Sequence, residues 1–348
     1  MKRSGILAVL CLMLSVSASA QVSESAIGFG ETKAAQWTFE DAQKLAAKGR
    51  LDQAMNMLDQ LVVQTPVPAG VQRLRGIVFF QRRQMQQAAD AFAKAVTQDA
   101  GDRASEEMEG VALFRLGRPQ DALPLLEKAR TAVASLNVDP QYVLGLCYAE
   151  LARYDDARHA FAAQYGFDGD SPEAYLLAAR LFLQRGYRDQ AAAQAGKALE
   201  LNPKLPLAHE LLGEAALARG DTTGAIRELQ AEQAINPLAG MVYERLGDAY
   251  LRGGQFTDAL QALNRAILLE PGSAAPYLLL GQVYLKLNQP IEALHYLVHA
   301  EQMDPSNNIT HNLLGQAYKA TGQIAEANRE FKQAVAIQHR DDPHPAGK

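Results

Sequence analysis

At 348 residues, with 48% hydrophobic and 21% charged side chains, the chain has material for two or three globular domains or for one elongated array. Its 34 Lys and Arg against 39 Asp and Glu give a net charge of −5, which excludes a general nucleic-acid binder relying on a basic surface. Two cysteines and seven histidines leave no room for a disulfide scaffold or a cluster of structural zinc sites, and one tryptophan with 7% aromatics argues against an all-β sandwich or barrel.

The chain opens on Met1-Lys2-Arg3, a short cationic start, followed by an apolar run from Ile6 to Leu14 and the small-x-small sequence Ala18-Ser19-Ala20. This reads as a secretory signal peptide over residues 1–20, cleaved before Gln21. The run is too short for a permanent membrane-spanning helix, and no cysteine follows the cut to carry a lipid. Cleavage removes Lys2, Arg3 and Cys11, which leaves 32 basic against 39 acidic residues, a net charge of −7, and Cys147 without a partner for an intrachain disulfide. The expected location is therefore periplasmic or secreted. Residues 21–34 read as a linker.

From there the sequence repeats. Glycine or its nearest substitute recurs in a turn context at Gly49, Arg83, Gly117, Ala152, Gly186, Gly220, Gly254, Asn288 and Gly322, at a spacing of 34 residues with a single 35. Five places later stands an alanine each time, at Ala54, Ala88, Ala122, Ala157, Ala191, Ala225, Ala259, Ala293 and Ala327. Twelve places after the alanine comes Pro66, Pro203, Pro237, Pro271 or Pro305. Before each turn runs a helix-length apolar pattern such as Tyr277, Leu280, Gly281 and Tyr284, and after it a second one such as Ala293, Leu297 and Ala300. The turn residue supplies the left-handed conformation that ends the first helix, the alanine lets the second helix come close, and the proline stops it.

These positions resemble the tetratricopeptide repeat. Its Leu-Gly, Tyr, Ala, Phe or Leu, Ala and Pro series stands here as Leu246-Gly247, Tyr250, Ala259, Leu263, Ala266 and Pro271, and again as Leu280-Gly281, Tyr284, Ala293, Leu297, Ala300 and Pro305. A last copy reads Leu314-Gly315, Tyr318, Ala327, Phe331 and Ala334. The resemblance implies an all-α, right-handed α-solenoid of about nine helix-turn-helix units, at 35–68, 69–102, 103–137, 138–171, 172–205, 206–239, 240–273, 274–307 and 308–341, with a tail at 342–348. Some units depart from the pattern. The first has Asp41-Ala42 in the Leu-Gly place, with Trp37 one place early; the second has Arg75-Gly76. The third carries an inserted residue and Pro124, which marks a candidate bend, and the sixth has Glu232 where a small residue is usual.

The resemblance further implies a concave groove, lined by the first helix of each unit, that binds an extended peptide or a partner helix. Groove places of the sixth and seventh units hold Glu210, Glu214, Glu244 and Asp248, with Arg180 and Arg245 as partial compensation. Like charges four apart on a helix oppose folding by roughly 0.2 to 0.5 kcal/mol per pair. The patch thus reads either as a seat for a basic peptide segment or as a solvated wall that keeps the array soluble. Tyr142, Tyr175, Tyr243 and Tyr277 stand at or beside the fourth place of their units, as interface aromatics or as packing between helices. The paired Lys and Asn, then Lys and Arg, of carboxylate-gripping members are absent, with Phe39, Gln43, Arg73 and Ile77 at those places.

His295 and His299 share one helix face and resemble half of a zinc site, yet the intervening Tyr-Leu-Val lacks a glutamate base. The tail residues His339, Asp341, Asp342 and His344 offer a weaker set, and Cys147 reads as a buried core thiol. No phosphate loop, nucleophile elbow or Cys-x-x-Cys is present. The expectation is a non-enzymatic, cofactor-free interaction scaffold of the cell envelope that binds another envelope or secreted protein, with no transmembrane span in the mature form. The alternatives are a metal-binding or metal-dependent protein using His295 and His299, and a self-associating architectural component.

Overall fold

A computed structural model describes residues 38–129 and 139–341, and every regular element within them is an α-helix. The helices follow one another as hairpins. The first four are α1 (Phe39–Ala47) with α2 (Leu51–Leu61), α3 (Val71–Gln81) with α4 (Met85–Gln98), α5 (Arg103–Arg115) with α6 (Pro119–Ala129), and α7 (Pro140–Glu150) with α8 (Tyr154–Tyr165). The next three are α9 (Pro172–Gln184) with α10 (Arg188–Leu201), α11 (Ala208–Arg219) with α12 (Thr222–Ile235), and α13 (Gly240–Arg252) with α14 (Phe256–Leu269). The last two are α15 (Ala275–Lys286) with α16 (Pro290–Met303) and α17 (Asn308–Ala320) with α18 (Ile324–Asp341). Each hairpin packs on the next, and the main contacts between helices join elements adjacent or next but one in the chain. This is an all-α helical repeat solenoid. The expected export segment, Trp37 and the tail lie outside the described residues, as do residues 130–138 of the third unit, the one read as a candidate bend; its α6 runs through Pro124.

Local chemistry sets the helix ends. Thr38 and Asp41 form a capping box, each side chain accepting from the other's backbone N–H. Side chains of Asp102, Asp139, Ser171 and Asn307 accept N–H groups that the first turns of α5, α7, α9 and α17 leave unpaired. At the hairpin turns all nine marker residues take positive φ, from 58° at Ala152 and Asn288 to 82° at Gly322, so Arg83, Ala152 and Asn288 adopt the left-handed turn without glycine's freedom. The next N–H then reaches back across the turn, as from Gln289 to the Tyr284 carbonyl at 2.9 Å. The second helices α10, α12, α14 and α16 stop two residues before their prolines, whereas α2 stops at Leu61, well before Pro66.

The nine marker alanines are 0% exposed except for Ala327 at 2%. A second close approach accompanies them: a Cβ on Gly145 would overlap the Phe161 ring, and one on Gly281 would overlap Leu297. The same glycine-under-large-residue contact recurs at Gly76 with Phe92, Gly110 with Leu126, Gly213 with Leu229, Gly247 with Leu263 and Gly315 with Phe331. The fifth unit is different, with Ala179 and Ala195 at the two places, both fully buried. The departure at Glu232 also acquires a cause. Its fully buried carboxylate accepts from the Leu207 N–H at 2.8 Å and from the Asn236 amide, and Leu207 precedes α11 at φ 72°. Glu232 thereby satisfies the backbone of a left-handed, non-glycine helix start.

Candidate functional site

The first helices of the last four units present a continuous face. Leu217 of α11, Glu244, Arg245, Asp248 and Arg252 of α13, Leu278, Leu279 and Gln282 of α15, and Ile309 and Thr310 of α17 line a groove of about 620 Å³. Asp304 and Asn307, from the connection between α16 and α17, close one side. Leu278, Leu279 and Ile309 form its apolar floor, and Ile309 is 57% exposed. A smaller hollow of about 370 Å³ lies next along the array, lined by Arg180, Leu183 and Gln184 of α9, Glu210, Leu211 and Glu214 of α11, and Met241 and Arg245 of α13.

All four carboxylates expected in the groove have partners, and two of them share one arginine. Arg245 joins Glu210 at 2.9 Å and also grips Glu214, so one guanidinium between the two hollows holds both acids of α11. Glu210 is 5% exposed, which removes it from direct contact with a large ligand. Asp248 accepts from Arg252 Nε at 2.9 Å and forms an ion pair with Arg252 Nη2 at 2.8 Å, and Glu244 accepts from the Ser273 hydroxyl at 3.2 Å. Burial pushes the Glu214 carboxyl above the usual glutamate range; Arg245 opposes the shift and Glu210 reinforces it. Burial does the same to Glu244 against the Ser273 hydrogen bond and Arg245, with Glu270 and Asp248 adding to the rise. Arg180 is exposed and lies near enough to Glu214 to oppose that rise. The acidic patch is therefore divided: Glu210 and Glu214 are held by Arg245, whereas Glu244 and Asp248 face the larger groove beside Asp304.

Tyr142 does not join this groove. It is half-buried and packs against Phe161 with ring centroids 5.9 Å apart, because its place in α7 faces the partner helix α8. Tyr175 lies under the Arg158 guanidinium at 4.1 Å, and the Tyr243 hydroxyl donates to the Pro237 carbonyl at 3.0 Å. Tyr277 sits 5.7 Å from the His299 ring. His295 and His299 are exposed on α16 with ring centroids 5.3 Å apart, edge to face, and among the described residues no further His, Cys, Asp or Glu joins them as a third metal ligand. The spacing put two imidazoles on one face, as expected, and the neighbouring α15 sets the Tyr277 ring against His299. Cys147 is fully buried, and burial together with Glu150 pushes its thiol to about 12, far from a reactive thiolate.

Two further groups escaped the sequence reading. His209 meets Glu228 at 2.9 Å and His311 meets Glu330 at 2.7 Å. The two pairs stand 102 residues apart, three repeat lengths, and each joins residues 19 apart in the chain. That shared register was the signal available in the sequence.

Helical hairpins stacked at a period of 34 residues, with a groove along their first helices, define the class: a helical-repeat solenoid with a ligand-sized face. A tetratricopeptide repeat model matches residues 39–103, 107–172 and 176–240, a TPR repeat model matches 247–288, and a further tetratricopeptide repeat model matches 274–307 and 310–339. The chain belongs to the tetratricopeptide repeat family. No curated protein matches it. Among solved structures it is similar to MamA, at 25% identity over 47% of this chain and 95% of that one with a TM-score of 0.43. It is also similar to MamA 41-end from Desulfovibrio magneticus RS-1, at 22% identity over 50% and 98% with a TM-score of 0.45. YrrB, described as a TPR protein with an unusual peptide-binding site, matches at 20% identity over 53% and 95% with a TM-score of 0.43.

Proposed function

We propose that the chain is a non-enzymatic interaction scaffold, exported to the cell envelope, whose groove over α13, α15 and α17 takes a peptide segment carrying both aliphatic and cationic side chains. One observation carries the reading: Leu278, Leu279 and Ile309 form an apolar floor directly beside Glu244, Asp248 and Asp304. An aliphatic side chain gains by leaving water on such a floor, and a Lys or Arg next to it meets Asp304, Asp248, which Arg252 holds, and Glu244, whose charge Arg245 offsets only in part. The first twenty residues, with their cationic start, apolar run and Ala18-Ser19-Ala20, support export with the mature chain starting at Gln21.

The test uses the chain recovered from the envelope fraction, whose mass reports whether residues 1–20 are gone. Fluorescence anisotropy then compares a Leu- and Lys-bearing peptide with its Leu- and Glu-bearing counterpart. The cationic peptide binds more tightly, and Glu244→Gln with Asp248→Asn weakens it about fivefold, the equivalent of roughly 1 kcal/mol for two partly exposed charge contacts. Equal binding of both peptides, or no change in the double variant, sinks the acidic groove. A mass that retains residues 1–20 sinks the export reading separately.

A further inference from the structure

We infer that Glu301, His311 and Glu330 form a binding site for a divalent transition-metal ion at the C-terminal end of the array. The three residues come from α16, α17 and α18, and one donor atom from each lies within 4.8 Å of the others. None belongs to the groove.

The orientation of His311 is the decisive feature. It is buried, and its Nε2 lies 3.1 Å from the Pro305 carbonyl, an acceptor that draws the ring proton to Nε2. Metal-bound histidines are oriented in this way, by donating their remaining N–H to a carbonyl or carboxylate. Nδ1 then carries the lone pair, and it faces Glu330 Oε2 at 2.7 Å. A lone pair and a carboxylate oxygen do not hold that approach without a cation between them. A proton needs only those two partners, but this site brings a third donor, Glu301. The other Glu330 oxygen is engaged by Arg329 at 3.3 Å, which leaves Oε2 to the site.

The molecule supplies its own control. His209 and Glu228 repeat the His–Glu contact three units earlier, where the residue in register with Glu301 is Leu199, packed against Ala198 and Ala208. The fold therefore makes the His–Glu pair without a third carboxylate, and only the last copy acquires one. A neutral imidazole with two carboxylates suits Zn²⁺ or a similar ion of intermediate softness better than Mg²⁺ or Ca²⁺, which favour all-oxygen shells. Tetrahedral Zn²⁺ with bonds of about 2.1 Å sets its donors about 3.4 Å apart, so the His311–Glu330 contact widens slightly as the ion replaces the proton. The bound ion would tie the last three helices together.

The experiment takes the untagged full chain stripped with a chelator. Zn²⁺ alone is titrated in by calorimetry, and Co²⁺ alone is followed by visible absorption. One ion binds per chain with a tetrahedral Co²⁺ spectrum, and Glu301→Leu, which copies Leu199, weakens binding by about tenfold or more, as expected when a metal ligand is lost. His295→Ala leaves binding unchanged. Binding unaffected by Glu301→Leu, binding lost in His295→Ala, or no binding at all, with the proton as the only occupant, overturns the site. Should Glu301→Leu lose helix content, Glu301→Gln keeps the side-chain volume and reads the same outcome.

Discussion

The units before α11 and those after it are built on the same repeat but fill it differently. From Phe80 of α3 to Ala191 of α10 one large cluster of buried residues runs through the units, threaded by aromatic rings: Tyr142 on Phe161, Phe161 on Phe182, and Phe182 against Tyr154 and Tyr187, at centroid distances of 5.5 to 6.3 Å. From α11 onward the core breaks into smaller clusters centred on leucines such as Leu229, Leu263 and Leu297. The seam between the two regions is made of alanines, with Ala179, Ala195, Ala198 and Ala208 all fully buried. Long aromatic side chains reach past one interface into the next, whereas leucines fill a single interface. The first half has a hollow of about 440 Å³ lined by Asp90, Glu109 and Asp121, whereas the segmented half carries the groove of about 620 Å³ and, among the described residues, both His–Glu pairs.

The largest expected effect tests whether the aromatic half responds as a unit. Phe161→Ala should cost about 3 to 5 kcal/mol and Leu263→Ala about 2 to 5 kcal/mol, but their reach should differ. Hydrogen exchange should speed up across α3 to α10 in the first variant and stay confined to α12 through α15 in the second. Equal reach would erase the contrast between the halves.

A middle-sized effect concerns the seam. Glu232→Ala leaves the Leu207 N–H without its acceptor and should lower stability by about 1 to 3 kcal/mol in denaturant melts. Local opening should appear first at α11. A loss below a few tenths of a kcal/mol would mean that α11 starts without this carboxylate.

The smallest effect is on ligand capture. The Glu214 and Glu244 carboxyls lie above the ordinary glutamate range because burial disfavours their charged forms. As pH falls they take up protons before an exposed glutamate does, so capture of a cationic peptide should weaken just above that range, in mild acid. The sign for folding is opposite. A carboxyl whose folded value is raised opposes the folded state when ionised, and protonation relieves that cost. Anisotropy and melting across the same pH series should therefore move in opposite directions through this window, and binding that strengthens in mild acid would count against Glu244 as a contact.

Much of the fold was legible because a repeat states its rules many times over. Arg83 is an unlikely left-handed residue by type, yet its position in the series of turns identified it, and its φ is 60°. Glu232 stood out as an exception, but the sequence held no sign that its carboxylate would reach Leu207, 25 residues away. The groove was legible in outline only. Arg245 was recognised as a compensating charge, but one helical face offers it several acids, and only the structure assigns it to both Glu210 and Glu214 and leaves Glu244 to Ser273. Tyr142 was left open between groove contact and packing, because a tyrosine on a first helix can turn either way and periodicity alone does not choose; its ring packs on Phe161. The His311 site joins three helices, so no single-helix spacing could reveal it.

The restriction of helix contacts to near neighbours along the chain has a consequence for how the protein is made. No unit waits for a distant segment to close its core. Short loops are entropically cheap to close, and topologies dominated by local contacts fold fast. A hairpin can settle as soon as the next helix has emerged, whether from a ribosome or from a narrow pore that admits only an extended chain. The order of synthesis is then also the order of assembly, and among the described residues the cluster of Glu301, His311 and Glu330 closes only after α16, α17 and α18 have all emerged.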